Sequence, residues 1–212
     1  SATCVTGLVT VDTGGHWSTF GELVILALIQ IGGLGVMSVA TLLVMLIGRK
    51  LSAPAGVLTV AEARSLAQRT PGQVLIGVLR FTLAVELVSA VVLTVRLRTA
   101  YHDGWGEAIY SGVFHSVSAF NNAGFGLLPD SAVQWAQDPW MCVPLMLSVM
   151  IGGLGFPVWW ELFRHWREPY RRWTIHATIT IWGSVVLWVV GALVLALFEW
   201  HNPRTLGALD PG

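Results

Sequence analysis

Four long apolar segments constrain what this chain can fold into more than any other feature of its sequence. They cover residues 23–47, 74–97, 140–163 and 174–198. At about 1.5 Å per residue, a helix over each segment can cross a bilayer core of about 30 Å. Only 11% of the residues are charged, compared with about a quarter in soluble domains. The sequence therefore predicts an all-α integral membrane protein with four transmembrane helices.

Basic residues cluster in two of the connections between these segments. They are Arg49, Lys50, Arg64 and Arg69 in the first connection and Arg164, Arg167, Arg171 and Arg172 in the second. If all four segments cross, both connections lie on one side of the membrane, which the positive-inside rule makes cytoplasmic. Arg96, Arg98 and Arg204 are exceptions on the outer side. A formal net charge of zero provides no basic excess for binding nucleic acid.

Two sequence motifs each occur twice. Residues 31–36 (IGGLGV) return as residues 151–156 (IGGLGF), 120 positions later. Upstream, residues 1–8 (SATCVTGL), called motif 1 below, match residues 118–125 (SAFNNAGF), called motif 2, at a distance of 117 positions. The order of short motif, outer segment and Gly-rich apolar segment is therefore an internal repeat.

The outer segment before motif 2 is too short to cross the membrane. Residues 107–117 (EAIYSGVFHSV) predict a helix of about three turns, and residues 118–129 contain Asn-Asn and Ala-Gly and predict irregular backbone. A short helix followed by irregular backbone is a re-entrant loop. Such backbone is tolerated at membrane depth only where it is buried in protein or lines a water-filled path. We therefore expect repeated membrane–pore loop–membrane units.

This repeat divides the chain into four parts. We expect the end of a first unit in residues 1–47, a cytoplasmic connection in 48–73, a second unit in 74–163, and a connection with the first helix of a third unit in 164–212. The first unit lacks its opening helix and the chain begins with Ser. We expect the sequence to be a piece of a longer protein.

Motifs 1 and 2 are candidate ion-binding segments. A permeating cation must exchange its water for fixed oxygens, which the carbonyls of an extended loop supply, and glycine permits the unusual backbone angles of such a loop. The predicted ion-binding residues are Thr3, Cys4, Val5, Thr6 and Gly7 in motif 1 and Asn121, Asn122, Ala123, Gly124 and Phe125 in motif 2. An ordinary glycine turn is the alternative for either motif alone. Two copies at matched distances favour ion binding.

The glycines of the IGGLG segments have a different predicted role. They are Gly32, Gly33 and Gly35 in the first copy and Gly152, Gly153 and Gly155 in the second. They do not form the GxGxxG pattern of a dinucleotide site. Within apolar helices, small residues let neighbouring helices approach closely, so we expect helix packing, with a hinge as a further hypothesis.

Four stretches in order carry a resemblance to a known family: SATCVTGLVTVDTGGHWSTFG, IQIGGLGVMSV, FHSVSAFNNAGF and MIGGLGFPVWWEL. They resemble the Trk/Ktr/HKT potassium transporters, in particular the bacterial Ktr or Trk membrane subunit. The resemblance implies four membrane–pore loop–membrane units around one pore, with Gly7 and Gly124 as filter glycines. Gly rather than Ser at position 7 implies a preference for potassium.

The resemblance also implies partners and a location. It implies a multi-pass protein of the cell membrane that forms a homodimer and docks a cytosolic nucleotide-binding regulatory subunit on its Arg-rich connections. It implies no cofactor, with K⁺ as the transported ion. Sodium or mixed transport by the same fold is the alternative.

Glu86 lies near the middle of the second apolar segment. An intramembrane carboxylate is costly and is a functional candidate. We interpret it as a hydrogen-bond partner of a neighbouring helix or the re-entrant loop, with an ion-pathway role as the alternative.

Two other classes of protein compete with a transporter, namely a polytopic membrane enzyme and a membrane scaffold. The six histidines lack metal-ligand spacing and are predicted to be interfacial or loop residues. The duplicated Gly-centred motif favours transport, because neither an enzyme nor a scaffold needs two equivalent polar loops.

Overall fold

The computed structural model describes residues 1–50, 71–129, 132–167, 173–200 and 202, with the backbone alone for residues 36, 37, 40–50 and 71. Within these residues there are helices and no strand. The α-helices are α1 (Thr13–His16), α2 (Thr19–Lys50), α3 (Pro71–Ala100), α4 (Trp105–Phe120), α5 (Pro139–Leu154), α6 (Phe156–Arg167) and α7 (Ile175–Glu199), with a 3₁₀ helix at Val133–Trp135. The predicted all-α fold is confirmed. Most of the predicted connection 48–73 lies outside the described residues.

Two of the described helices are long and apolar enough to cross a membrane. They are α3, over Gly72–Ala100, and α7. Within α2, Thr19–Gly35 is a shorter apolar helix. α5 and α6 provide a third crossing if the two are counted as one interrupted span.

The prediction of one continuous helix over residues 140–163 is wrong. α5 ends at Leu154, and Gly155 has φ +78° and ψ 154°. That conformation stops the helical hydrogen-bond ladder and is one that residues with a Cβ rarely adopt. α6 begins at the next residue. The apolar character of the sequence continues across the break, which is why hydropathy alone predicts a single span.

The chain divides into two compact units, Ser1–Phe156 and Pro157–Gly212. At the centre of the first unit lies α4, a helix of 16 residues that packs against α2, α3 and α5. Its side chains Phe114 and Val117 join Ile29 of α2 and Phe125 in one buried cluster. Burying these apolar side chains, each worth about 1.5–3 kcal/mol, holds the short helix in place.

A second buried cluster lies near the N-terminal end of α4, where Ala108 meets Leu93 of α3, Met141 of α5 and Trp135 of the 3₁₀ helix. Trp135 is almost completely buried. The cluster joins α3, α4 and α5 into one packed group, on what the charge pattern predicts to be the outer side.

A charged clamp ties α3 to the start of α5. Arg96 Nε donates to Asp138 Oδ2 at 2.7 Å, and the Tyr101 hydroxyl donates to the same oxygen at 3.2 Å. Asp138 also caps α5 by accepting from the backbone N–H of Trp140. Burial alone would raise the pKa of Asp138, but its hydrogen bonds with Arg96, the Trp140 N–H and Tyr101, together with the positive charge of Arg96, hold the pKa below its ordinary value. Arg96, an exception to the charge rule, therefore has a structural role.

The second exception, Arg98, has its guanidinium carbon 5.6 Å from the centre of the Trp105 ring. This is a cation–π contact between the end of α3 and the start of α4. Arg204, the third exception, lies outside the described residues.

In the second unit, a buried carboxylate joins α6 to α7. Glu161 accepts from the backbone N–H of Thr174 at 2.6 Å and from its hydroxyl. The Thr174 hydroxyl in turn caps α7 by accepting from the N–H of Ala177. Large apolar side chains of α7, such as Leu187 and Leu197, are exposed, as expected for a helix that is apolar all round and faces lipid.

Candidate functional site

Motifs 1 and 2 fold into the same backbone conformation. In motif 1, Val5 has φ 52° and Gly7 has φ 71°. In motif 2, Asn122 has φ 56° and Gly124 has φ 73°. Positive φ is uncommon for residues other than glycine, above all for a β-branched residue such as Val5. The structure thus reproduces one unusual backbone at two positions of the chain.

The turn hydrogen bonds of the two motifs also correspond one to one. In each motif the amide two residues before the glycine donates to the carbonyl three residues back, and the next amide donates to the carbonyl five residues back. The bonds are Val5 N to Ala2 O at 3.1 Å and Thr6 N to Ser1 O at 3.2 Å, and Asn122 N to Ala119 O at 3.0 Å and Ala123 N to Ser118 O at 2.8 Å.

The two predicted filter glycines lie against each other. A Cβ added to Gly7 would be 2.4 Å from the carbonyl oxygen of Ala123 and 3.3 Å from the Cα of Gly124. A Cβ added to Gly124 would be 3.6 Å from the Cα of Gly7. The fold therefore brings together two loops that are 117 positions apart in the sequence, at a point where no side chain fits on Gly7.

Each motif rests on the IGGLG segment that follows it. A Cβ on Gly32 would lie 2.1 Å from the carbonyl oxygen of Thr3, and one on Gly152 would lie 1.8 Å from that of Phe120. Thr3 and Phe120 each precede the glycine of their motif by four residues. Gly32 therefore admits the loop backbone at Thr3, and Gly152 admits the last residue of α4, where motif 2 leaves the helix.

The remaining IGGLG glycines differ from one another. A Cβ on Gly33 would meet Asn121 Oδ1 at 1.8 Å, so α2 also approaches motif 2. A Cβ on Gly153 would meet only the end of the Asn122 side-chain amide, at 3.9 Å, and one on Gly35 would meet no atom within 4 Å among the described residues. Gly155 ends α5, as described above.

Glu86 is buried and hydrogen-bonded to both neighbours that the sequence suggests. Its carboxylate accepts from Gln30 Nε2 of α2 and from Asn121 Nδ2 of motif 2, both at 3.1 Å. The Asn121 amide donates also to Gln30 Oε1 at 3.3 Å and to the Val117 carbonyl at 2.9 Å. The predicted hydrogen bonds of Glu86 to a helix and to the loop are confirmed.

Asn122 connects motif 2 to α5. In the amide orientation that satisfies both of its ends, the side chain donates to the Val149 carbonyl at 3.2 Å and accepts from the Gly153 N–H at 3.3 Å. Val149 and Gly153 are four residues apart, so they are a donor–acceptor pair of the helical ladder. A loop side chain thus contacts the helix just before its interruption at Gly155.

The other predicted ion-binding residues lie on the motifs with little bracing. The Thr6 hydroxyl donates to the Cys4 carbonyl at 3.3 Å. Thr3, Cys4 and Thr6 are exposed, whereas Ala123 and Phe125 are buried. No three His, Cys, Asp or Glu side chains converge within the described ranges.

Several polar residues around motif 2 escape the sequence analysis. Ser116 donates to the Glu86 carbonyl at 2.6 Å, Ser118 donates to the Phe125 carbonyl at 2.6 Å, and His115 Nε2 is 3.4 Å from the Leu127 amide nitrogen. His115 is buried inside α4, so its prediction as an interfacial or loop residue is wrong. The available signal was the run FHSVS, three polar residues in an otherwise apolar helix.

Comparison with known proteins identifies relatives over nearly the whole chain. Residues 1–206 match the family model TrkH, described as cation transport protein. The chain is 39% identical to the Ktr system potassium uptake protein B of Bacillus subtilis, over 99% of the chain and 46% of that protein. It is 36% identical to the protein of the same name from Vibrio alginolyticus, over 100% of the chain and 46% of that protein.

A further relative is the potassium/sodium uptake protein NtpJ of Enterococcus hirae. It is 32% identical over 97% of the chain and 45% of its own length. The chain thus spans about half the length of the curated relatives that it matches.

Proposed function

The chain belongs to the TrkH family of cation transport proteins, and from this premise we propose that it forms part of a pore for K⁺ uptake. It is a multi-pass membrane protein. The hypothesis of a polytopic membrane enzyme is wrong, because the family consists of cation transporters and not of enzymes.

The observation that carries the proposal is the meeting of two identical loop backbones at Gly7 and Gly124. A cation leaves water only if fixed oxygens replace its hydration shell. Val5 and Gly7 in the first motif and Asn122 and Gly124 in the second have positive φ, and such a backbone can turn several carbonyls towards a common axis. We propose the ten predicted ion-binding residues as half of a filter that further loops of the complete transporter would close.

Two considerations favour potassium over sodium as the transported ion. Two of the relatives described above are named potassium uptake proteins, and both motifs carry glycine at the position where the loops meet. The name of the Enterococcus relative includes sodium, so the test of the proposal must measure both ions.

We propose further that the complete transporter works with partners. The names of two relatives assign them to a Ktr system. The basic connections on the predicted cytoplasmic side carry Arg164 and Arg167 at the end of α6, and such charges suit docking of a cytosolic regulatory subunit. A homodimer with a nucleotide-binding subunit, as the family resemblance implies, is the arrangement that we propose.

The proposal is tested by placing Ser at the two glycines in the complete transporter. Gly7→Ser puts an atom 2.4 Å from the Ala123 carbonyl oxygen, whereas Gly124→Ser has 3.6 Å of space to the nearest atom, and both strain a positive φ. We expect both variants to lose discrimination between K⁺ and Na⁺, with the larger loss of uptake for Gly7→Ser. Gly106→Ser is the control, because a Cβ there meets no atom within 4 Å.

The measurement is uptake of rubidium and sodium by cells that lack their own potassium importers, with membrane expression quantified for each variant. The proposal fails if both Ser variants keep the parental potassium affinity and sodium exclusion. Sodium uptake equal to rubidium uptake in the parent protein would contradict potassium preference and favour mixed transport.

A further inference from the structure

The backbone that leaves Gly124 is attached to α4 by two side chains. Ser118 Oγ donates to the Phe125 carbonyl at 2.6 Å, and the Leu127 N–H donates to His115 Nε2 at 3.4 Å. Ser118 and His115 are three residues apart on α4, so they lie on the same face of the helix. Phe125 and Leu127 are two apart on the departing chain. The result is a two-rung connection between α4 and the chain after motif 2.

We call the hydrogen bond between Leu127 and His115 the lower rung and that between Ser118 and Phe125 the upper rung. The lower rung requires one protonation state of His115. A backbone N–H can only donate, so Nε2 must accept from Leu127 and carries no proton. The proton of the neutral ring is then on Nδ1, which donates to the Ser111 carbonyl at 2.8 Å. The imidazole therefore links the backbone of α4 at Ser111 to the backbone of the departing chain at Leu127.

The position of the ring is determined by its surroundings. Only 7% of His115 is exposed, and its ring meets Trp135 edge-on at 4.9 Å and Phe114 at 6.0 Å between ring centres. Trp135 belongs to the second buried cluster. The imidazole therefore contacts that cluster on one side and the loop at Leu127 on the other.

The Phe125 side chain packs into the first buried cluster, but the loop is not packed on every side. A cavity of about 340 Å³ borders His115, Ser118, Gly124 and Phe125. Gly124 has no side chain, and its φ is 73°. Because glycine can adopt many backbone conformations, neighbouring groups must hold it in this one. On the side of the cavity, the hydrogen bonds from Ser118 and to His115 hold the peptide groups of Phe125 and Leu127.

We propose that His115 and Ser118 are positioning residues for ion discrimination, holding the chain after Gly124 so that the carbonyls of motif 2 keep their direction. The inference rests on the proposed function. The Phe125 carbonyl accepts from Ser118, so this bond fixes the Phe125–Gly126 peptide group, one residue beyond the filter glycine. Losing either rung lets the loop relax into the cavity, and small changes in carbonyl geometry alter the balance between K⁺ and Na⁺.

The experiment compares four variants of the complete transporter. Ser118→Ala removes the upper rung and His115→Phe removes the lower rung while filling the ring volume. His115→Gln keeps an acceptor at the length of Nε2 and tests for rescue. Thr94→Val is the matched control, since Thr94 donates a buried hydrogen bond to the Ala108 carbonyl at the other end of α4.

The readout is the ratio of rubidium to sodium uptake, normalised to the amount of protein in the membrane. A hydrogen bond with a net worth of about 0.5–1.5 kcal/mol corresponds to roughly a two- to tenfold change, so we expect Ser118→Ala and His115→Phe each to lower the ratio by that factor. His115→Gln should recover most of the loss, and Thr94→Val should leave the ratio unchanged.

Gly124→Ser in the same series separates this inference from the proposed function. If Gly124→Ser lowers the ratio and Ser118→Ala does not, the loop is a filter but Ser118 does not position it, and the inference is overturned. It is overturned also if His115→Gln loses as much discrimination as His115→Phe, or if Thr94→Val loses as much as Ser118→Ala. If Gly124→Ser also has no effect, the proposed function fails with it. Ser118→Ala, the mildest change, decides the matter should His115→Phe not reach the membrane.

Discussion

Gly152→Ala provides a sharp test of how the IGGLG segment supports motif 2. The new methyl group would lie 1.8 Å from the Phe120 carbonyl oxygen. A separation of 3.0 Å, the lower limit for real Cβ contacts, requires the carbonyl or the helix to move by about 1.2 Å. Neither group is a flexible side chain, so the strain cannot be relieved by a rotamer change.

The expected cost follows from two opposing contributions. Overpacking of a well-filled site costs about 1–3 kcal/mol, and the displacement here involves backbone on both sides. Ala in a helix is favoured over Gly by about 1 kcal/mol. We therefore expect a net loss of up to about 2 kcal/mol in the free energy of unfolding. Because Phe120 directly precedes motif 2, rubidium uptake should fall more than protein amount does.

Gly153→Ala is the matched control in the same helix. A Cβ there would meet only the end of the Asn122 side-chain amide, at 3.9 Å, which is an ordinary contact, so the gain in helix propensity remains and the clash is absent. The assay is the melting temperature of purified protein in detergent together with rubidium uptake in cells. Equal effects of the two substitutions would refute the close approach of Phe120 to Gly152 and with it the proposed support of motif 2.

Two further predictions concern charged groups. Glu86→Gln should retain uptake, because its amide oxygen still accepts one of the two hydrogen bonds. Glu86→Leu should lower the amount of protein in the membrane, because Gln30 and Asn121 both lose an acceptor, at about 1–3 kcal/mol per unsatisfied group. Loss of uptake in Glu86→Gln at normal expression would instead indicate an ion-pathway role. Arg96→Gln and Asp138→Asn should each lower the melting temperature, with a coupling of about 0.5–1 kcal/mol in the double variant, and an additive double variant would contradict the clamp. The pKa of Asp138 is lowered in the folded state. Its contribution to the free energy of unfolding is therefore complete above the ordinary carboxylate pKa and is lost as the pH falls through the lowered pKa. Asp138→Asn should flatten the acid side of the profile of stability against pH.

Much of the architecture follows from local properties of the sequence. Hydropathy locates α2, α3 and α7, because a helix that meets lipid must be apolar over its whole length. The repeated motifs indicate two equivalent loops, because equivalent backbones with positive φ require glycine at the same place. Glu86 is recognisable as hydrogen-bonded, because a lone carboxylate at that depth is too costly without partners.

The tertiary structure alone decided which groups meet. Gly155 differs from Gly35 in conformation although both end the same five-residue segment, so the break between α5 and α6 depends on the environment and not on the local sequence. Likewise, Arg96 and Asp138 are 42 positions apart, and no local pattern pairs them. His115 lies in a stretch that is compatible with an interface or a core until Trp135 and Leu127 are placed around it. Hydropathy and repeats report on one segment at a time, whereas close contacts depend on how distant segments pack, and that packing determines where Gly7 meets Gly124.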